Sequence, residues 1–162
     1  MEFDATLTEK DMIRFNLYHT YSKFFAWFAV ALAVVALVVA GTTFGKVSGT
    51  LTALYILVAL VVLIYMPLNT VLSAKRRVKF QPQLLEALHY SIGEDGIRVS
   101  RGEETAELPW DSVFRIVGVK TAIYVYSSRI YAYVIPREAV SDRIEEFKAL
   151  ALAHLESRRV KL

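Results

Sequence analysis

Cysteine is absent from this 162-residue sequence. The protein therefore has no disulfide framework, no cysteine-ligated metal site and no thiol nucleophile. Charge is nearly absent from residues 24–72, where Lys46 is the only Lys, Arg, Asp or Glu. An uncharged stretch of this length is typical of membrane-spanning segments, and it sets the class of protein to which the chain belongs.

Lys46 divides this stretch into two apolar runs, residues 24–44 and 51–72. Each run has about 20 residues, which as a helix spans a hydrocarbon core of about 30 Å. The intervening residues 45–50 are sufficient only for a turn, so the pattern predicts a transmembrane helical hairpin. The alternatives are a buried helix pair and a signal peptide. A signal peptide has a shorter apolar region and no second span, which favours the hairpin.

Basic residues cluster directly after the second run, at Lys75, Arg76, Arg77 and Lys79. The turn between the runs has only Lys46. Because cytoplasmic flanks of spans are enriched in Lys and Arg, both termini are predicted to be cytoplasmic. As a hypothesis, the same four residues also contact anionic lipid headgroups.

Small residues recur along the first run at alternating steps of three and four. They are predicted to form a helix-packing seam, because close van der Waals contact holds helices together in lipid: Ala26, Ala29, Ala33, Ala36 and Ala40. Large residues of the second run are the predicted partners: Leu57, Leu60, Leu63 and Ile64. Self-association through the same seam, which makes a homo-oligomer, is the alternative. Pro67 is expected to kink or end the second helix.

The first 23 residues predict a strand followed by a membrane-proximal helix. Phe3, Ala5 and Leu7 alternate with polar residues, as in a half-buried strand. Thr8 and Asp11 have the spacing of a capping box at a helix start. Because a lone strand is unstable in water, residues 1–7 are predicted to pair with an edge of the C-terminal sheet, which makes the spans an insertion after the first strand.

Residues 73–82 form a basic juxtamembrane linker, and residues 83–162 predict a cytoplasmic domain with six short strands and a final helix. The predicted fold class is therefore a membrane α-helical hairpin plus a small α+β domain, whose antiparallel sheet or partial barrel is capped by the C-terminal helix. Trp110 is interpreted as a core anchor. Ser141 or Asp142 is expected to cap the last helix, and three basic residues are expected to complement its C-terminus: Arg158, Arg159 and Lys161.

The chemistry of the chain argues against an enzyme. The three histidines, His19, His89 and His154, lack metal-ligand spacing, and there is no phosphate-binding glycine loop. The acidic cluster around Glu104 is interpreted as solvated. No catalytic residue, metal or cofactor is predicted. Residues 83–162 contain eleven Lys/Arg and twelve Asp/Glu, a net charge of −1, so no nucleic-acid partner is expected.

The chain resembles the bacterial YcxB-like family. The resemblance is carried by residues 93–97 (Gly-Glu-Asp-Gly-Ile), Trp110, residues 135–137 (Ile-Pro-Arg), residues 7–11 (Leu-Thr-Glu-Lys-Asp) and Phe15. It implies a two-span protein of the bacterial inner membrane with a pleckstrin-homology-like C-terminal domain. It implies no catalytic residue.

Two functional classes are compatible with this sequence. In the first, a non-enzymatic integral membrane protein presents a small cytoplasmic binding domain to a protein partner or to lipid headgroups. In the alternative, the protein acts through its spans on another membrane protein, as an immunity protein against a membrane-directed toxin or as a transporter regulator. Membrane lipids and a protein partner are the expected partners in both classes.

Overall fold

The structure is a computed structural model that describes all 162 residues. The chain forms two compact units. Residues 1–11 and 81–162 form one, which we call the sheet unit, and residues 12–80 form the other, the helical unit. The chain thus leaves the sheet unit after its first strand and returns to it, which confirms the predicted insertion.

The helical unit contains two helices that are long and apolar enough to cross a membrane. Helix α1 (Glu9–Tyr21) leads into α2 (Phe24–Thr42), and a short turn leads to α3 (Gly49–Leu60) and α4 (Met66–Phe80). The two apolar segments are 19 and 32 residues long, and 11% of each apolar window is buried. Core helices of a soluble protein are mostly buried, so this exposure indicates membrane association.

The second apolar helix continues through Pro67, which was expected to kink or end it. Residues Val61–Tyr65, between α3 and α4, adopt π-helical geometry, and the amide of Met66 donates to the carbonyl of Val61. Proline has no N–H with which to continue the α-helical ladder. A wider π turn directly before the proline lets the helix proceed without the missing donor.

Helix α1 begins with the predicted capping box. The Thr8 hydroxyl donates to Asp11 Oδ2 at 2.6 Å, and the Thr8 amide donates to the same oxygen at 3.0 Å. The Asp11 amide donates back to Thr8 Oγ1 at 3.2 Å. Backbone donors at the helix start, which have no partner within the helix, are satisfied in this way.

The sheet unit contains two four-stranded sheets. Sheet 1 has the order β1-β2-β3-β4 and sheet 2 the order β7-β6-β5-β8. The strands of sheet 1 are β1 (Glu2–Thr6), β2 (Ala87–Ile92), β3 (Gly96–Arg101) and β4 (Glu104–Pro109). The strands of sheet 2 are β5 (Arg115–Gly118), β6 (Ala122–Tyr126), β7 (Ala132–Pro136) and β8 (Val160–Lys161). The sheets are not joined into a closed barrel.

Strand β1 pairs antiparallel with β2 across a separation of more than 80 residues, which confirms the predicted pairing. Phe3 lies opposite Tyr90, and their rings stack with centroids 5.2 Å apart. Ala5, on the same side of the strand, is 3% exposed. Residues 1–6 are therefore an edge strand that packs on the core.

Residues 93–96 form the β2–β3 turn. The Gly93 amide donates to the Gly96 carbonyl at 3.0 Å. Gly96 has φ +148°, and a Cβ there would lie 2.4 Å from the carbonyl oxygen of Leu108. Only glycine fits this position, because both its backbone conformation and its close approach to β4 exclude a side chain.

One hydrophobic core lies inside the sheet unit, with residues from both sheets and from α5 (Ile144–His154). Phe147 and Ala151 of α5 are fully buried, as the helical periodicity predicts. Trp110 is 4% exposed and donates through Nε1 to the Gly93 carbonyl at 3.0 Å. Its role as a core anchor is confirmed.

The predicted antiparallel sheet is present in part, and two expectations for the final helix are wrong. The strands form two sheets, and one pair, β5 with β8, is parallel. Neither Ser141 nor Asp142 caps α5, because a 3₁₀ segment, Arg137–Arg143, precedes it and the Ser141 hydroxyl donates to Glu138. The final basic residues do not complement the helix, since α5 ends at His154 and the chain continues into β8.

Candidate functional site

The basic residues predicted to contact lipid lie on helix α4. All four are exposed: Lys75, Arg76, Arg77 and Lys79. Ala74 and Val78, one turn apart on a different side of the helix, are buried. The segment predicted as a linker is thus helical as far as Phe80, and it presents its positive charges at fixed angles around one helix.

The five alanines of the predicted seam lie on the less exposed side of α2. Ala33 is 0% and Ala40 is 5% exposed, and Ala26, Ala29 and Ala36 are half-buried. Ala31, which is off the seam, is exposed. Helices α2 and α3 contact each other in the hairpin, where a small residue lets two backbones approach closely.

Three of the four predicted partners of this seam on the second helix are wrong, and the fourth, Leu63, is half-buried. Leu57, Leu60 and Ile64 are between 47% and 57% exposed. The buried residues of α3 are Thr52 and Ala59. Ala40 and Thr52 are each six residues from Lys46, and Ala33 and Ala59 are each thirteen, so the buried positions have matching places in an antiparallel hairpin. Small residues therefore occupy the most deeply buried positions on both sides of this contact.

The exposed face of sheet 1 is polar and internally paired. Arg98 contacts Glu107 at 2.7 Å, and His89 contacts Asp4 at 2.7 Å. A shallow cleft of about 260 Å³ lies beside the β2–β3 turn, and Arg98 and Glu107 form part of its wall. These two charges of the cleft therefore satisfy each other.

A second surface, at one end of sheet 2, has a different character. Strand pairing puts Arg115 opposite Tyr126, and Tyr126 opposite Ala132. The residues next to these pairs, Phe114 before β5 and the β6–β7 turn before Ala132, therefore lie at the same end. Three large apolar side chains at this end are exposed: Phe114 (44%), Ile130 (59%) and Tyr131 (70%).

Three arginines lie at the same end of sheet 2. Arg115 stacks over the Tyr126 ring at 4.4 Å, and its buried Nε has no hydrogen-bond partner. Arg159, which precedes β8, donates to the Phe114 carbonyl at 3.0 Å and also to the Val113 carbonyl. Arg129 is exposed in the turn and forms no ion pair. We call these six residues the hairpin-end surface: Phe114, Arg115, Arg129, Ile130, Tyr131 and Arg159.

Acidic residues are absent from the chain around this surface. Residues 112–137 contain four basic residues and no Asp or Glu. The nearest acids in sequence are Asp111, Glu138 and, three residues before Arg159, Glu156, which pairs with Arg158. The positive charge of the hairpin-end surface is therefore not neutralised within sheet 2.

The remaining titratable groups do not form a reactive cluster. His19 lies on α1, His89 on β2 and His154 on α5, where its ring stacks on Trp110 at 5.4 Å. No three His, Asp or Glu side chains are grouped as metal ligands. Burial raises the pKa of the Tyr90 phenol above its usual value, and Tyr133 adds to this rise. The Tyr90 hydroxyl is buried without a hydrogen bond, so this ring serves the core.

The hairpin-end surface was not predicted from the sequence. The signal that was available is the run of 26 residues, 112–137, without an acidic side chain in a domain that is acidic overall. The exposure of Ile130 and Tyr131 depends on the strand register, which the local pattern of residues does not reveal.

The fold and these surfaces define a small membrane-associated protein in which an α+β sheet unit is interrupted by two apolar helices. Residues 92–151, which run from the end of β2 through most of α5, match the model of the YcxB-like protein family. This match confirms the resemblance to the YcxB-like family over these residues, which lie wholly within the sheet unit. No curated protein and no solved structure matches the chain.

Proposed function

We propose that this chain is a non-enzymatic integral membrane protein that presents the sheet unit as a binding domain to a protein partner or to lipid headgroups. The observation that carries this proposal is the hairpin-end surface. It combines exposed Ile130 and Tyr131 with Arg129, which has no ion-pair partner, whereas the exposed charges of sheet 1 are paired with each other. Exposed apolar side chains beside unpaired arginines are typical of interaction surfaces.

The proposed location is the bacterial inner (cytoplasmic) membrane, with both spans crossing it and both termini cytoplasmic. The division of charge supports this topology. The helical unit contains seven basic and no acidic residues, whereas all sixteen acidic residues lie in the sheet unit. Four of the seven lie at the C-terminal end of the second apolar helix, and Lys46 alone lies in the turn, so the bias favours a cytoplasmic sheet unit.

The sheet unit is further proposed to be pleckstrin-homology-like. Seven strands, β1–β7, precede α5, and they divide into four strands of sheet 1 and three strands of sheet 2. This order supports the proposal. A fold of this kind does not by itself specify a ligand, so the function must be argued from the hairpin-end surface.

The basic residues of α4 are proposed to hold anionic lipid. Lys75 and Lys79 are one turn apart on the same side, so one acidic headgroup region can contact both. Each basic residue near an anionic surface contributes about 1 kcal/mol. Replacing Lys75, Arg76, Arg77 and Lys79 by Gln should lower the amount of anionic lipid that co-purifies at low salt. Unchanged co-purification would contradict this role.

The alternative function, action on another membrane protein through the spans, predicts a different contact surface. Leu57 is 57% exposed on α3 and is available to another helix. Ala33 and Ala40 are buried in the hairpin, so a homo-oligomer or a partner would have to use a different face of α2.

One experiment separates the two functions. A photo-crosslinking amino acid is placed at Tyr131, Leu57 or Lys120 of the full-length protein in native membranes. Lys120 is exposed in the β5–β6 turn, at the opposite end of the same strands, and serves as the matched control. A specific lipid or protein adduct at Tyr131 and none at Lys120 is the expected result. An adduct at Leu57 alone would favour the alternative, and equal labelling at Tyr131 and Lys120 would contradict a binding role for the hairpin-end surface.

A further inference from the structure

The hairpin-end surface is small, and its size restricts what can bind there. An aromatic side chain buries 150–250 Å², so the exposed parts of Phe114, Ile130 and Tyr131 together offer roughly 300–400 Å². A stable protein–protein interface uses about 800 Å² on each partner. These three side chains alone are therefore too few for a second copy of the chain or a globular partner.

A lipid bilayer does not impose this size requirement on a protein that is already anchored. The second contact of an anchored protein is intramolecular in character, so a weak surface suffices. Tyrosine and other amphipathic aromatic side chains are enriched at the headgroup layer, where one end is apolar and the other hydrated. Arginine matches a phosphate with two parallel hydrogen bonds.

We propose that the hairpin-end surface rests on an anionic lipid bilayer, with Ile130 and Tyr131 in the interfacial layer and Arg129 on a lipid phosphate. This inference rests on the proposed membrane anchorage and deepens it by naming the ligand of the sheet unit. The net charge of the sheet unit is −4, from twelve Lys/Arg and sixteen Asp/Glu, so its surface as a whole is not attracted to an anionic membrane.

Charge complementarity is therefore local. Residues 112–137 have four basic and no acidic side chains, so sheet 2 presents positive charge while the acids lie elsewhere in the unit. Arg115 is half-buried over Tyr126 and also lacks an ion-pair partner. The uneven distribution favours an approach through sheet 2, and at the hairpin end the arginines are combined with exposed apolar side chains that can enter the headgroup layer.

The absence of cysteine makes this contact directly measurable. Full-length protein with the single substitution Ile130→Cys carries the environment-sensitive fluorophore NBD and is placed in nanodiscs of phosphatidylcholine, with or without 30% phosphatidylglycerol. Lys120→Cys carries the same fluorophore as the control. A blue-shifted emission and quenching by lipids spin-labelled near the headgroup are expected at position 130 in anionic discs, and neither at position 120.

A second variant tests the arginine. Arg129 is exposed and forms no ion pair, so Arg129→Gln is expected to leave the fold intact. In protein labelled at position 130, this substitution should lower the ratio of molecules whose hairpin-end surface contacts the membrane to those whose surface is free. The expected decrease is roughly fivefold, as loss of one charge at an anionic surface predicts. The amide exchange of β6 should be unchanged, which separates a lost contact from a disturbed fold.

Several outcomes would overturn the inference. Identical NBD emission spectra at positions 130 and 120 would mean that the hairpin-end surface does not contact lipid. Equal quenching with and without phosphatidylglycerol would mean that negative charge is not recognised. Self-quenching that requires two copies in one disc would identify a second chain as the occupant. The hairpin-end surface could show no lipid contact while the photo-crosslinker at Tyr131 forms a specific protein adduct. In that case the binding-domain proposal stands and only the lipid inference fails.

Discussion

The two units of this protein bury side chains of opposite size. The largest fully buried side chains of the sheet unit include Tyr90 and Phe147. The five most deeply buried residues of the helical unit are small: Ala33, Ala40, Thr52, Ala59 and Ala74. In the same helices, Phe24, Phe25 and Trp27 are between 63% and 81% exposed.

The difference is the one expected between a unit in water and the membrane-embedded helices that we propose. Water drives large apolar side chains into a core, because burial removes apolar area from water at about 25 cal/mol per Å². In lipid this drive is missing between helices, so helices associate where small residues permit close contact, and large ones face the hydrocarbon. Charge divides in parallel: the helical unit has no acidic residue, whereas the sheet unit has all sixteen.

The largest expected effect comes from removing β1 (Glu2–Thr6). Its loss exposes the edge of β2 and removes the Phe3 ring from Tyr90. The sheet unit should become protease-sensitive in full-length protein, and exchange of β2 amides should accelerate by orders of magnitude. In the intact protein, β1 amides bonded to β2 should exchange slowly. Fast exchange throughout β1 would contradict the pairing.

Truncating the aromatic core should have the next largest effect. Phe147→Ala empties a fully buried position and is expected to cost about 3–5 kcal/mol of sheet-unit stability. Leu152→Ala, on the exposed side of α5, is the control and should cost less than about 1 kcal/mol. The measurement is amide exchange of α5 and β6. Similar effects of the two substitutions would argue against the core as described.

The helical unit should be destabilised by added side-chain volume, whereas the sheet unit is destabilised by removed volume. Ala33→Leu inserts a large side chain at a fully buried position and should loosen the hairpin, at about 1–3 kcal/mol. Ala36→Leu, at a half-buried position, should do less, and Ala31→Leu, at an exposed one, should be tolerated. Spin-label distances between α2 and α3 report the change. Equal effects at all three positions would mean that the small-residue periodicity is accidental.

The smallest effect is expected at Tyr90. Its hydroxyl is buried without a hydrogen bond, which is unfavourable for a polar atom. Tyr90→Phe keeps the ring stacked on Phe3 and should be neutral or stabilising by up to about 1 kcal/mol. Thermal unfolding of the sheet unit within the full-length protein measures it. A clear loss of stability would indicate a partner for the hydroxyl that the structure does not contain.

Local features of this fold were predictable from the sequence, because neighbouring residues determine them. The capping box of Thr8 and Asp11 and the turn at Gly93 and Gly96 use short-range hydrogen bonds and backbone preferences. The apolar face of α5 follows from helical periodicity. The pairing of β1 was predictable from a longer argument. An alternating strand needs a partner, and the predicted topology places the C-terminal sheet on the same side of the membrane as β1.

Features that depend on distant residues were missed. Strand β8 has only two residues, so no alternation in the sequence indicates the strand or its parallel pairing with β5. Three predicted partners of the α2 seam were wrong because α3 has four leucines among its twelve residues, and composition does not identify the inward face. The hairpin-end surface was not predicted, because only the strand register places Phe114, Ile130 and Arg159 at the same end of sheet 2.

The central proposal is that the two apolar helices inserted after β1 cross the membrane and anchor a cytoplasmic sheet unit. Single cysteines at Lys46, in the turn between the spans, and at Lys120, in the sheet unit, test it in a chain without native cysteine. A membrane-impermeant maleimide should label Lys46→Cys from outside intact cells, and should label Lys120→Cys only after the inner membrane is permeabilised. Labelling of Lys120→Cys from outside, or protection of both positions, would contradict the account.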